Sequence, residues 1–147
     1  MGWAAAWILA AGCGRPAAPN QISVTGSDYA FSVLDTVPAG PALVHYRYQG
    51  AVPHEMILGR LRVGTSPAEF EDSLAHDRSL QPLLDGGTAV LFGAPGQADY
   101  PLSIAVTLIG GRHYALWCQF ADGPDKPRHL TLGMFKVLTV RNAQDRQ

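Results

Sequence analysis

Cys118, His129 and Met134 follow one another on one strand-loop-strand stretch near the end of the chain, and His54 stands upstream in Pro53-His54-Glu55, where an apolar run begins. One thiolate, two imidazoles and one thioether are the donor set of a mononuclear electron-transfer copper site. In such a site the Cys sulfur and two His nitrogens hold the metal in a trigonal plane, and a long axial Met tunes its potential. Each residue also has an ordinary reading by itself. A lone Cys is a small buried hydrophobe, a His at a strand start satisfies its nitrogens locally, and a Met fills core. The chemistry requires that the four converge, and convergence depends on the elements that carry them.

The 147 residues fit a single domain. Eleven Lys+Arg against twelve Asp+Glu leave a net charge of -1, without the basic surplus that a nucleic-acid surface needs. Sixteen Gly and eleven Pro suit short strands joined by turns better than a helical bundle. The chain holds no Gly-x-Ser-x-Gly, no His-Glu-x-x-His and no phosphate-binding Gly loop. Glu55 and its neighbour His54 point to opposite faces of a strand, a poor acid-base pair. A carrier or binding protein is expected rather than an enzyme.

Residues 1–20 do not read as part of that domain. Trp3-Ala4-Ala5-Ala6-Trp7-Ile8-Leu9-Ala10-Ala11 is apolar, too short to span a bilayer, and followed by Gly12-Cys13-Gly14. The run reads as an export signal of the lipoprotein type, in which Cys13 is lipidated and becomes the mature N-terminus. A Pro- and Ala-rich tether then leads into a domain over residues 21–140, which a polar tail closes at 141–147. The expected location is the periplasm or cell envelope, with membrane contact only through the lipid on Cys13. With two Cys in the chain and one spent on lipid, Cys118 has no disulfide partner. An unpaired thiol in an oxidising compartment needs burial or ligation, and a metal supplies the second.

From residue 22 onward, strand follows strand. Residues 22–25 and 29–33 are short β-rich runs, and Pro38-Ala39-Gly40-Pro41 breaks the chain before 42–48, where Val44, Tyr46 and Tyr48 share one face. His45 and Arg47 take the other face, so His45 points to solvent. A turn over 50–53 leads into a strand over 54–61 that begins at His54. Residues 66–84 change rhythm. Ser66 is an N-cap, Pro67 occupies the first helical position and Glu69 lies in the first turn, while Phe70, Leu74, Leu80, Leu83 and Leu84 recur near helical spacing. One or two short helices are expected there, with His76 a solvated residue on them.

Strands resume over 87–92 and 102–108, the second with one fully aliphatic face. The Gly110-Gly111 turn leads into 113–120, where Tyr114, Leu116, Cys118 and Phe120 lie on one side and His113, Ala115, Trp117 and Gln119 on the other. His113 sits at the opposite end of its strand from Cys118 and is not a ligand candidate. A Pro-, Gly- and Asp-containing loop over 121–128 precedes a closing strand over 130–140, with Gly133 before Met134. Seven or eight strands of this kind make an all-β two-sheet sandwich with a short helical insertion at 66–84.

The hexapeptide Pro53-His54-Glu55-Met56-Ile57-Leu58 resembles the strand of plastocyanin- and azurin-type cupredoxins whose Pro-His start supplies the first copper imidazole. The order Cys118, His129, Met134 is similar to the strand-end Cys, loop His and following Met of that family, and four residues separate His129 from Met134, as in plastocyanins. The turn Gly110-Gly111-Arg112-His113-Tyr114, running into the apolar approach to Cys118, matches as well. The resemblance spans residues 22–140. Exported bacterial cupredoxin-like proteins with a Pro-rich Cys-to-His loop and a Gly-Met pair are the most similar in layout.

The resemblance implies a Greek-key sandwich binding one type 1 copper ion through His54, Cys118, His129 and Met134. Such a protein passes single electrons as a monomer to a transient redox protein partner. His129, on an exposed loop, would be the exit edge, with Leu130 and Pro127 forming the docking patch. Three features depart from familiar members. Ten residues separate Cys118 from His129, Glu55 stands where Asn is frequent, and helix interrupts the strands. Gly123, Pro124 and Pro127 restrict the loop and favour a compact excursion that returns His129 to the sulfur. Two other readings use the same residues: a non-redox Cu(I) carrier with Met56 as an added sulfur donor, and a metal-free cupredoxin-like binding module.

Overall fold

The computed structural model describes residues 18–86, 89–97 and 102–142. Cys13 and the proposed leader, together with most of the polar tail, lie outside the described residues. The strands, in chain order, are β1 Asn20–Ser27, β2 Ala30–Ser32, β3 Thr36–Pro38, β4 Gly40–Tyr48, β5 His54–Arg60, β6 Ala89–Gly93, β7 Leu102–Leu108, β8 His113–Trp117 and β9 Phe135–Arg141, with one α-helix, α1 Pro67–Ala75. They form two mixed sheets, ordered β2-β1-β4-β7 and β3-β9-β8-β5-β6. The architecture is the two-sheet sandwich that strand count and alternation require.

Side-chain parity fills the space between the sheets. Val24, Val44 and Tyr46 come from one sheet and Met56, Leu116 and Leu138 from the other, with Cys118 and Met134 in the same buried cluster. Along β4 the buried Val44, Tyr46 and Tyr48 alternate with half-buried His45 and exposed Arg47. His45 is bonded on its outward face to Ser103 Oγ and Gln21 Oε1.

The other face of β8 is not left to water. Ala115 and Trp117 pack with Ile57, Leu61, Phe70, Leu74 and Leu130 in a second core. The insertion thus has a structural purpose. Ser66 Oγ accepts the Glu69 N–H at 3.1 Å and Pro67 opens the helix, so α1 starts abruptly and lays Phe70 over Trp117, with ring centroids 6.0 Å apart. Burial of a Phe or Leu side chain contributes about 1.5–3 kcal/mol. The same contacts hold the residue next to Cys118 from behind. A single 3-10 turn, Gln81–Leu83, accounts for the rest of the expected helix, and His76, at the C-cap of α1, is exposed.

Several boundaries differ from the sequence reading: β8 ends at Trp117 rather than at residue 120, and two other differences bear on the site. Tyr29 does not begin a strand but sits, at φ 62°, in the two-residue turn between β1 and β2. The closing strand does not start at residue 130. His129–Leu132 form a 3-10 turn, ended by Gly133 at φ 104°, and β9 begins at Phe135. Backbone bonding explains the difference. The His129 N–H reaches the Phe120 carbonyl at 2.6 Å and the Leu130 N–H reaches the Cys118 carbonyl at 3.0 Å, which folds the chain back toward the end of β8 before it can extend. Among the described residues no helix is long and apolar enough to cross a membrane.

Candidate metal centre

His54 opens β5, Cys118 follows the last residue of β8 and His129 opens the 3-10 turn, so three elements deliver one side chain each to the same end of the sandwich. Their ligand atoms all lie within 4.8 Å of one another. The two Nδ1 atoms are 3.0 Å apart, and Cys118 Sγ is 3.5 Å from His129 Nδ1. All three residues are buried. Met134 is buried beside them and tied through its backbone: its carbonyl accepts the Cys118 N–H at 3.1 Å and its own N–H donates to the His129 carbonyl at 2.9 Å. The ten-residue loop does close into a compact excursion, bridged at its base between Ala121 and Arg128.

The outer nitrogens define what the inner ones offer. His54 Nε2 lies 3.0 Å from Asp28 Oδ1, and His129 Nε2 lies 2.9 Å from Asp122 Oδ1. An ionised carboxylate only accepts, which assigns the proton of each ring to Nε2 and, in a neutral ring, leaves a lone pair on Nδ1. Two lone pairs facing each other at 3.0 Å beside a sulfur, away from water, repel unless a positive charge sits among them. Two imidazole nitrogens and one sulfur suit a soft or borderline transition-metal ion. The residues present therefore fit a copper ion.

Electrostatics agree with this assignment. The His54 bond, foremost, holds the Asp28 carboxyl below the usual carboxylate range, and the Ala51 and Val52 N–H groups add to it. Asp122 is also lowered, chiefly by the Tyr29 hydroxyl at 2.5 Å and then by His129. Burial pushes the Cys118 thiol up, against the pull of backbone N–H groups of Glu55 and Phe120. The Glu55 N–H lies 3.4 Å from Sγ. Without a cation the sulfur therefore keeps its proton, and a metal is what would turn it into thiolate.

No family model and no curated protein matches the sequence. Solved structures do. Auracyanin from Roseiflexus castenholzii aligns with a TM-score of 0.54 at 18% identity, over 86% of this chain and 100% of that one. Rusticyanin in its reduced form gives 0.51 at 18%, over 85% and 82%. Auracyanin A of Chloroflexus aurantiacus, a "blue" copper protein, gives 0.50 at 17%, over 84% and 100%. The fold is that of the cupredoxins.

Within this cupredoxin sandwich, four residues that sequence reasoning passed over shape the centre. Asp28 and Tyr29 form the β1–β2 turn. Asp28 bonds His54, while the Tyr29 ring stands edge-on to His129 at 5.1 Å and to His54 at 6.1 Å. Asp122 lies in the long loop and takes the Tyr29 hydroxyl on one oxygen and His129 on the other. Gly50 leaves the space into which the His54 ring fits. Glu55, in the position where Asn is frequent, accepts the Gln119 N–H at 3.0 Å and so ties the start of β5 to the strand end beyond Cys118. An Asp-Tyr pair between two strand runs is the one local signal that marks the turn.

Two expectations about the surface are corrected. His129 is not an exposed edge, since it is only 1% accessible, and Leu130 at 3% belongs to the second core and cannot form a docking patch. The loop folds back over the ring, and Tyr29 and Asp122 cover what remains. Pro127 is exposed, and other exposed or half-buried apolar groups near the centre line a depression formed by Val52, Pro53, Phe120, Ala121 and Asp122, with Phe92 5.6 Å from Phe120 by ring centroid. His113, beside Thr139 Oγ1 at 3.3 Å, lies at the far end of β8 and takes no part.

Proposed function

We propose that this protein is an exported single-electron carrier with one type 1 copper ion held by His54, Cys118, His129 and Met134. The observation that carries the proposal is the inward convergence of two imidazole Nδ1 atoms on a buried sulfur while both Nε2 atoms are turned outward to carboxylates. The "blue" copper character of auracyanin A, a neighbour in fold, supports it. Copper, when bound, supplies the one-electron couple. The chain does the rest. β5, β8 and the 3-10 turn fix the donors on a sandwich that resists rearrangement, Tyr29 and Asp122 keep water from the imidazoles, and the N–H groups directed at Cys118 stabilise its thiolate.

A redox partner would dock over Val52, Pro53, Phe92, Phe120 and Ala121, a small apolar surface of the kind that transient electron-transfer encounters use. Lipidation of Cys13 would hold the carrier at the cell envelope. The test is the visible and electron-spin-resonance spectrum of protein loaded with Cu(II). A strong thiolate-to-copper band is expected, lost in Cys118→Ser with the β fold retained. A band that survives the substitution would refute the assignment, and a colourless complex that resists oxidation would favour the Cu(I) carrier.

A further inference from the structure

The two imidazoles of the centre end in the same way, each on a carboxylate, although those carboxylates come from unrelated parts of the chain. Asp28 lies in the β1–β2 turn and reaches His54 Nε2 at 3.0 Å, and Asp122 lies in the long loop and reaches His129 Nε2 at 2.9 Å. Tyr29, adjacent to Asp28, donates its hydroxyl to Asp122 Oδ2. The turn and the loop are thereby joined into one bracket around both rings.

We infer that Asp28 and Asp122 are positioning residues that keep both histidines in the Nε2–H form with Nδ1 inward, and that their two negative charges favour the oxidised state of the bound metal. The inference rests on the copper reading above. A carboxylate that accepts from a ligating imidazole fixes its tautomer and ring orientation and makes it a stronger donor. A negative charge behind each ligand also stabilises Cu(II) relative to Cu(I) and lowers the reduction potential. Neither carboxylate is fully buried, with side-chain exposures of 38% for Asp28 and 32% for Asp122, so solvent screens part of this effect.

The two residues differ in what else they do. Asp28 also accepts the Ala51 N–H at 2.8 and 3.0 Å and the Val52 N–H at 3.4 Å, which anchors the loop before His54. Asp122 places one oxygen on His129 and the other on Tyr29. Asp122 is therefore the residue at which a role toward the metal separates from a role in folding.

The experiment has two arms. In metal-free, 15N-labelled protein, long-range nitrogen-proton spectra should show Nε2 of both His54 and His129 protonated, and Asp122→Ala should bring the His129 Nε2–H into rapid exchange with water. In Cu(II)-loaded protein, Asp122→Asn keeps an acceptor but removes the charge. It should retain the thiolate-to-copper band and shift the midpoint potential upward, whereas Tyr29→Phe, which leaves the Asp122 charge in place without its hydroxyl donor, should not raise it. An unprotonated Nε2 on either ring, or an unchanged potential in Asp122→Asn with its band intact, would overturn the inference. A wild-type protein that shows no such band refutes the copper reading instead, and the nitrogen spectra then still decide whether the carboxylates set the tautomers.

Discussion

Gly50 and His54 compete for the same volume: a β-carbon on Gly50 would lie 2.9 Å from His54 Nε2 and 2.5 Å from Asp28 Oδ1. Gly50→Ala therefore has to push apart the bond that orients the first imidazole. Disturbing a group behind a metal ligand typically costs about 10–100-fold in metal affinity. Competition against a copper chelator should show a loss in that range.

Gly133 is required for a different reason. Its φ of 104° closes the 3-10 turn that carries His129, and a β-carbon there would meet nothing nearer than the Tyr29 carbonyl at 3.8 Å. The penalty for Gly133→Ala is backbone strain alone, about 1–2 kcal/mol. Gly133→Asn should lose less, because Asn tolerates the left-handed region. Urea unfolding of the metal-free variants measures both.

Phe70→Ala removes the ring that α1 lays over Trp117. A fully buried Phe replaced by Ala costs about 3–5 kcal/mol. Chemical denaturation of metal-free protein should register that loss. A broadened copper resonance in the loaded variant would report the slackened wall behind Cys118.

Asp85 governs part of the acid stability at the end of the molecule remote from His54. Its carboxylate meets Arg112 at 2.6 Å and Arg60 at 3.2 Å, and these partners, Arg112 first, hold its pKa below 3.8. A folded pKa below the unfolded one means that the unfolded chain binds more protons in this window, so stability rises with pH there. The contribution is complete above the unfolded value of 3.8 and is lost as pH falls through the lower folded value. Asp85→Asn should flatten the fall in urea midpoint below about pH 4 while lying beneath the wild type at neutral pH.

The inward turn of Cys118 and the place of His54 at a strand head were legible in the sequence because strand parity is local. Alternation along 113–120 alone turns Cys118 inward with Tyr114 and Leu116, and the Pro-His start marks the head of β5. Asp28, Tyr29, Gly50 and Asp122 were not legible, since their roles exist only after distant segments meet. Tyr29 and Asp122 are 93 positions apart. The strand over 130–140 was misread at its start because Leu130-Thr131-Leu132 alternates like a strand, whereas the backbone bonds from residues 129 and 130 to the end of β8 coil it. The faces of β8 were assigned correctly, yet nothing local showed that α1 would cover Trp117.

The bridge between Ala121 and Arg128 separates two lengths that a linear count merges. Below it, the His129 N–H on the Phe120 carbonyl sets how far the second imidazole stands from the sulfur. Above it, residues 123–127 form an appendix whose size does not enter that distance. The interval between Cys118 and His129 is thus no gauge of the dimensions of the centre. A much shorter or longer loop in this chain would leave the same arrangement possible, provided that the clamp at the base and an acidic residue beside it were kept.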